Sequence, residues 1–260
     1  MKFENWSPEL DPFLKSGEVK LHEHLHLVRS KESTNPASLL KTKAVRKQAL
    51  DEALKDVGPI KGNLLEVGAG DGWCSAHILS AYKPEKTFIM EIDEIAVEKL
   101  IPNTLSVFGV DTIDVTIVQG SFNKIPHNNF FDFIIAMGAL HHSANLRVTF
   151  DTIFQALKPG GWLLAQEPSM DDDTPNSYFV NYGLEKKVFP EGIEMINADR
   201  SDIFYRNCEF RTAAYHAGFE IKLKKLVKKD QGNSSPSAES IFISCHKPID
   251  LSLHESPTQW

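Results

Sequence analysis

Two adjacent histidines, His141 and His142, follow a short apolar run, and imidazole is the side chain best suited to moving a proton near neutral pH. Two acids, Glu66 and Glu91, stand at the ends of Leu64-Leu65-Glu66 and Thr87-Phe88-Ile89-Met90-Glu91. A carboxylate there can accept two hydrogen bonds from a diol or receive an ammonium. After Glu66, Gly68, Gly70 and Gly72 alternate with Ala69 and Asp71, and Trp73 follows. Glycine has no Cβ, so the chain turns sharply and a ligand can lie against it. The N–H groups at the start of the next helix can receive an anion. Together these residues read as a nucleotide-type binding turn.

Some patterns carry less. A dinucleotide fingerprint needs a third glycine at position 73, where Trp73 stands, which disfavours a nicotinamide or flavin enzyme. His22, His24 and His26 share one face of a strand but have no Cys or carboxylate cluster beside them, so they read as a half-exposed segment. Asp171-Asp172-Asp173 reads as a solvated loop, and no metal is expected. Lys222, Lys224 and Lys225 alternate with Ile221, Leu223 and Leu226, which suggests a charged edge strand. Cys74, Cys208 and Cys245 make neither a metal pattern nor a disulfide framework.

The elements that must position these residues alternate. Asn35-Pro36 and the stripe Leu50, Ala53, Leu54, Val57 predict a helix over roughly 36–57. A strand at 64–66 leads to a helix near 72–82, then a strand at 87–91 and a short helix ending before Pro102. Strands follow at 114–118 and 131–136. Leu146, Phe150, Ile153 and Leu157 share a helical face that Lys158-Pro159-Gly160-Gly161 terminates, and 162–166 is a fifth strand. A helix near 202–217 precedes two last strands at 219–226 and 239–245. The expected fold is α/β: a doubly wound, mostly parallel seven-stranded Rossmann-like sheet ending in an antiparallel hairpin, with ligands at the carboxyl ends of the strands. One domain over 1–260 is expected. It divides into an N-terminal helical extension over 1–60, a cofactor-binding core over 61–168, a substrate-side insertion after strand five over 169–200, and a C-terminal helix and hairpin over 201–247.

Glu66-Val67-Gly68-Ala69-Gly70-Asp71-Gly72 resembles the first motif of class I S-adenosylmethionine-dependent methyltransferases. The resemblance continues in order through Glu91, Gln119-Gly120-Ser121-Phe122, Phe131-Asp132-Phe133-Ile134-Ile135-Ala136, Ala139-Leu140-His141-His142, Leu157-Lys158-Pro159-Gly160-Gly161 and Ala217-Gly218-Phe219. It is closest to the small-molecule branch and covers roughly 60–245. It implies S-adenosyl-L-methionine as cofactor and S-adenosyl-L-homocysteine as product. The implied cofactor residues are Glu66, Gly68, Ala69, Gly70, Gly72 and Trp73 at the methionyl end, and Glu91 with Ile92 at the ribose. Ser121, Phe122 and Met137 are implied at the adenine, the two hydrophobic residues as a sandwich. Ser121 replaces the family's usual Asp, which turns a charge-assisted contact into a neutral one. His141 and His142 are the candidates for taking a substrate proton. Tyr178 and Tyr182, one helical turn apart, either wall the acceptor pocket or pack the insertion.

A net charge of −7 argues against a nucleic-acid partner. No run approaches membrane-spanning length, so a cytoplasmic protein without membrane insertion is expected. The expected activity is O-methylation of a sugar or secondary metabolite. The alternatives are N-methylation of a small amine, or a methyltransferase-like protein that binds without turnover.

Overall fold

The computed structural model describes residues 1–10, 43–143, 145–174, 205–226 and 239–250. Among these, one sheet contains β1 (Lys2–Asn5), β2 (Asn63–Val67), β3 (Lys86–Glu91), β4 (Val115–Gln119), β5 (Phe131–Met137), β6 (Leu157–Ser169), β7 (Glu220–Leu226) and β8 (Glu239–His246). The order is β1-β4-β3-β2-β5-β6-β8-β7. The first six strands pair in parallel, and β8 runs antiparallel to both β6 and β7. The order reverses between β2 and β5, so the ligand crevice of such a sheet lies outside their carboxyl ends.

Both faces of the sheet are covered, which is why its strands read as continuous apolar runs. On one face lie α1 (Ala44–Val57) and α2 (Trp73–Ala81), where Leu50, Leu54, Trp73 and Ile78 pack with Phe133 and Ile135. Farther along, α3 (Ile101–Phe108) sets Ile101 and Leu105 against Ile89 and Ile117. The other face carries α4 (Leu146–Ala156) and α5 (Asn207–Ala217), whose Phe150, Phe210 and Ala214 meet Leu65, Ile134 and Leu163. The Asn145 side chain caps α4 by accepting the N–H groups of Arg147 and Val148.

Three expectations change. An eighth strand, β1, lies at the sheet edge, in a segment with no readable pattern. It is four exposed residues long and pairs on one side only, so it has no buried face to impose periodicity. The helix expected to stop before Pro102 continues through it. A π-turn over Ala96–Leu100 leads into α3, and Ile101 N–H donates to the Ala96 carbonyl. Pro102 directly follows this widened turn, which lets the helix pass through a residue without an N–H. Finally, α4 ends at Ala156, just ahead of Lys158-Pro159-Gly160-Gly161 as expected, but the strand expected at 162–166 already starts at Leu157, and those four residues form a bulge inside β6. Phe131 pairs with Leu157 and Phe133 with Trp162, so the extra residues loop out, with Gly160 at φ +82°.

Candidate active site

The carboxyl ends of five parallel strands share one edge of the sheet: Val67 pairs with Met90, Glu91 with Gln119, and Met137 with Gln166. The β2 turn is held from several sides. Ala69 N–H donates to the Met90 carbonyl at 3.0 Å, and Gly72 N–H to the Ala69 carbonyl at 2.9 Å. Gly68, Gly70 and Gly72 all have positive φ. A Cβ on Gly68 would lie 2.5 Å from that of Ala139, so the β2 and β5 loops abut there. A Cβ on Gly70 would meet nothing within 4 Å; this is the open face of the turn.

Glu91 spans from β3 to that turn. Its Oε2 accepts Gly70 N–H at 2.7 Å, and its Oε1 accepts Ile92 N–H at 2.7 Å and Asp93 N–H at 3.3 Å. Glu66 points under the helix instead of into the crevice. It is 1% exposed and accepts the Ser75 N–H at 2.9 Å and the Ser75 hydroxyl. Burial pushes its carboxyl up to about 8, against the lowering effect of the Ser75 bonds. The Trp73 side chain is buried in the core beside α1, and the Trp73 backbone N–H donates to Asp71 Oδ1 at 3.3 Å. Phe122 and Met137, expected as a sandwich, pack against opposite faces of the sheet. Ser121 is half-buried, and its hydroxyl accepts Asn123 N–H at 3.2 Å.

After β5, a 3-10 turn over Leu140–His142 presents the histidines. Glu167, one residue beyond the Gln166–Met137 pair in β6, is fully buried and faces this turn. Its Oε1 accepts Ala139 N–H at 3.0 Å and Leu140 N–H at 2.9 Å; its Oε2 accepts His141 N–H at 3.2 Å and stands 2.7 Å from His141 Nδ1. The His141 and His142 rings lie 4.0 Å apart between centroids. The buried Tyr205 hydroxyl donates to the Ser143 carbonyl and braces the same turn. Burial pushes its phenol up to about 12.

Residues 40–221 match the family described as a methyltransferase domain. The chain belongs to the class I S-adenosylmethionine-dependent methyltransferase family. A stretch of 79 residues is 34% identical to the sterol 24-C-methyltransferase of Yarrowia lipolytica. That stretch is 28% of this chain and 20% of the relative, so the match spans about a fifth of that enzyme. The fold is similar to that of the YcgJ protein of Bacillus subtilis, at 17% identity over 78% of this chain and 99% of the other, with a TM-score of 0.59. It is equally similar to phosphoethanolamine N-methyltransferase 2 of Haemonchus contortus in complex with S-adenosyl-L-methionine, at 17% identity over 78% and 52% of the two chains and a TM-score of 0.59.

Several residues at the carboxyl edge of the sheet escape sequence reasoning. Glu167 is one; an acid closing an apolar run before Pro168 was the available signal. Lys43 and Arg46, at the start of α1, are others. Lys43 Nζ is 3.5 Å from Asp71 Oδ2, and Arg46 Nη1 donates to the Met137 carbonyl at 3.1 Å beside Gly138. In the triad of acids, Asp172 accepts Cys208 N–H at 2.6 Å, while Asp171 pairs with Lys225. Lys224 pairs with Glu52 on the β7 edge. Among the described residues, no group of three His, Cys, Asp or Glu side chains is placed to hold a metal ion, and no helix is long and apolar enough to cross a membrane. Tyr178, Tyr182 and the His22–His26 segment lie outside the described residues. A cleft of about 410 Å³ between Tyr82, Thr87, Phe108 and Asp114 lies at the amino ends of β3 and β4, opposite the ligand edge.

Proposed function

We propose that this protein transfers the methyl group of S-adenosyl-L-methionine to a hydroxyl of a small molecule, with His141 receiving the proton that the acceptor loses. The observation that carries this is the 2.7 Å contact between His141 Nδ1 and the buried Glu167 carboxylate, in a loop abutting the glycine turn at Gly68. A carboxylate paired to one ring nitrogen orients the imidazole and stabilises its charged form, which suits it to accept a proton. A hydroxyl must lose a proton on methylation, so it gains most from such a pair.

The residues fit the cofactor. Glu91 Oε1 is taken up by the Ile92 and Asp93 N–H groups, while Oε2 accepts only Gly70 N–H and keeps lone-pair capacity for a ribose hydroxyl. The open face at Gly70 lets a ligand approach the backbone. Arg46 and Lys43 bring positive charge to an edge where Asp71 and Glu91 are acidic, which suits a ligand carrying its own carboxylate. Glu66 serves by fixing the start of α2 through Ser75, rather than as a direct partner of the ammonium. When bound, S-adenosylmethionine supplies a methyl group on a sulfonium leaving group; the chain's part is to orient the acceptor and hold the proton.

The test is calorimetry with S-adenosylmethionine, followed by release of S-adenosylhomocysteine in the presence of panels of small alcohols, sugars and amines. Binding, with turnover on hydroxyl acceptors, is expected. No binding at millimolar ligand overturns the cofactor assignment. Turnover confined to amines moves the activity to N-methylation. Binding without turnover on any acceptor supports a non-catalytic role.

A further inference from the structure

Beyond the glycine turn and Glu91, the ligand edge has a third wall that comes from the amino terminus. β1 pairs with β4 in the register Lys2–Thr116 to Asn5–Gln119. The next residue continues the ladder, with Trp6 N–H donating to the Gln119 carbonyl at 2.9 Å. The Trp6 ring anchors the strand against Phe88 at 5.6 Å and His127 at 5.0 Å. Ser7, 3% exposed, then accepts Ser121 N–H on its hydroxyl at 3.2 Å, while Asn5 Oδ1 accepts Ser7 N–H at 2.9 Å.

The turn that Ser7 holds is next to Glu91. Gly120 N–H donates to the Glu91 carbonyl at 3.0 Å, and a Cβ on Gly120 would stand 3.3 Å from that of Trp6 and 3.4 Å from Met90 Sδ. The Ser121 carbonyl accepts Lys124 N–H at 2.9 Å, so Ser7 completes the fixing of both backbone polar groups of Ser121. The exposed ion pair of Glu9 with Lys124 adds a second tie across the same gap; its exposure makes it the weaker one.

We propose that the amino-terminal strand is part of the cofactor site, with Ser7 as a positioning residue that shapes the Gly120–Phe122 turn to receive the adenosine end of the ligand. The proposal rests on the cofactor reading above. An unbraced turn would have to be ordered when the ligand binds, at a cost to affinity; the Ser7 bond meets that cost during folding.

Equilibrium binding to the full chain is measured for S-adenosylhomocysteine and for 5′-methylthioadenosine, which keeps the adenosine but lacks the amino acid. Ser7→Ala is expected to weaken both by the same factor, about five-fold, as for the loss of one neutral hydrogen bond. Ser7→Thr, which keeps the hydroxyl, is expected to restore both. Unchanged affinity in Ser7→Ala, with both ligands bound by the wild type, overturns the inference and leaves the cofactor reading standing. A loss confined to S-adenosylhomocysteine also overturns it, because the effect would then belong to the amino-acid end. A wild-type chain that binds neither ligand overturns the cofactor reading itself. Should Ser7→Ala fail to fold, amide exchange of Ser121 in the wild type decides: protection before ligand is added is expected, and free exchange overturns the inference.

Discussion

His141 Nδ1 lies 2.7 Å from Glu167 Oε2, a carboxylate without solvent exposure that also accepts the N–H groups of Ala139, Leu140 and His141. One buried acid thus shapes the 3-10 turn and orients the ring it presents. Glu167→Gln keeps an acceptor for the turn but removes the charge facing His141. Turnover should fall by roughly 10–150-fold, about 1.5–3 kcal/mol in the barrier, with S-adenosylhomocysteine affinity within about two-fold of wild type. His141→Ala should do the same in a steady-state assay. Normal turnover in both variants would remove the pair from catalysis.

The glycine turn makes a paired prediction. Gly68→Ala must fit a Cβ 2.5 Å from that of Ala139 at φ +63°, and should cost roughly 2 kcal/mol or more in urea denaturation. Gly70→Ala meets no neighbour and should cost only about 1 kcal/mol for its φ of +57°, yet its methyl would fill the open face of the turn. Calorimetry should show cofactor affinity lost in a Gly70→Ala protein that is still folded; retained affinity would place the ligand elsewhere.

Two charged residues should report on opposite ends of the cofactor. Glu91→Ala removes the acceptor of Gly70 N–H and the acceptor proposed for the ribose, and should weaken binding of S-adenosylhomocysteine and 5′-methylthioadenosine alike, by about 1.5–3 kcal/mol. Arg46→Ala should weaken S-adenosylhomocysteine by roughly 1–2 kcal/mol and leave 5′-methylthioadenosine unchanged, because only the former carries a carboxylate. Equal losses for both ligands in Arg46→Ala would mean that Arg46 acts only through the Met137–Gly138 backbone.

Glu66 couples stability to pH. Burial raises its folded-state carboxyl to about 8, above the unfolded value near 4.5. Between those values the folded state holds a proton that the unfolded state has released. Stability should therefore fall as pH rises from about 4.5 to about 8 and then level off. Glu66→Gln removes the titration and should gain on wild type across that window, by roughly 2–4 kcal/mol at its upper end. Denaturant midpoints at pH 5 and pH 9 check this; parallel changes in the two proteins would contradict it.

His127 acts with the opposite slope. Burial among Trp6, Phe88 and Phe130 lowers its imidazole below 6.5, with Glu4 opposing the shift. The unfolded chain then binds the extra proton first. The stability that His127 contributes is complete above pH 6.5 and declines as pH falls toward the lowered folded value. His127→Phe should flatten the acid side of a thermal-midpoint profile, and an unchanged profile would show that His127 titrates alike in both states.

Much of the fold was legible in the sequence because a buried parallel sheet writes itself as short apolar runs, and the glycines that turn away from it are punctuation. Acids closing those runs singled out Glu66 and Glu91, which lie at the carboxyl ends of β2 and β3, Glu91 against the glycine turn and Glu66 buried beneath the helix. Local pattern was weak where no face is buried, as in β1, and where a π-turn makes room for a proline, as at Pro102.

The chain's own chemistry therefore determined the class of fold, the glycine cradle and the histidine loop. Which side chains meet was left to tertiary packing. Strand alternation tells which face a residue takes, yet register and crossover choose its neighbour. They set Glu167 on His141 across 26 residues, Arg46 on the Met137 carbonyl across 91, and Ser7 on Ser121 across 114. They also separated Phe122 from Met137 and turned Glu66 inward onto Ser75. Contacts at such separations depend on how the layers close over the sheet, and no local spacing records that.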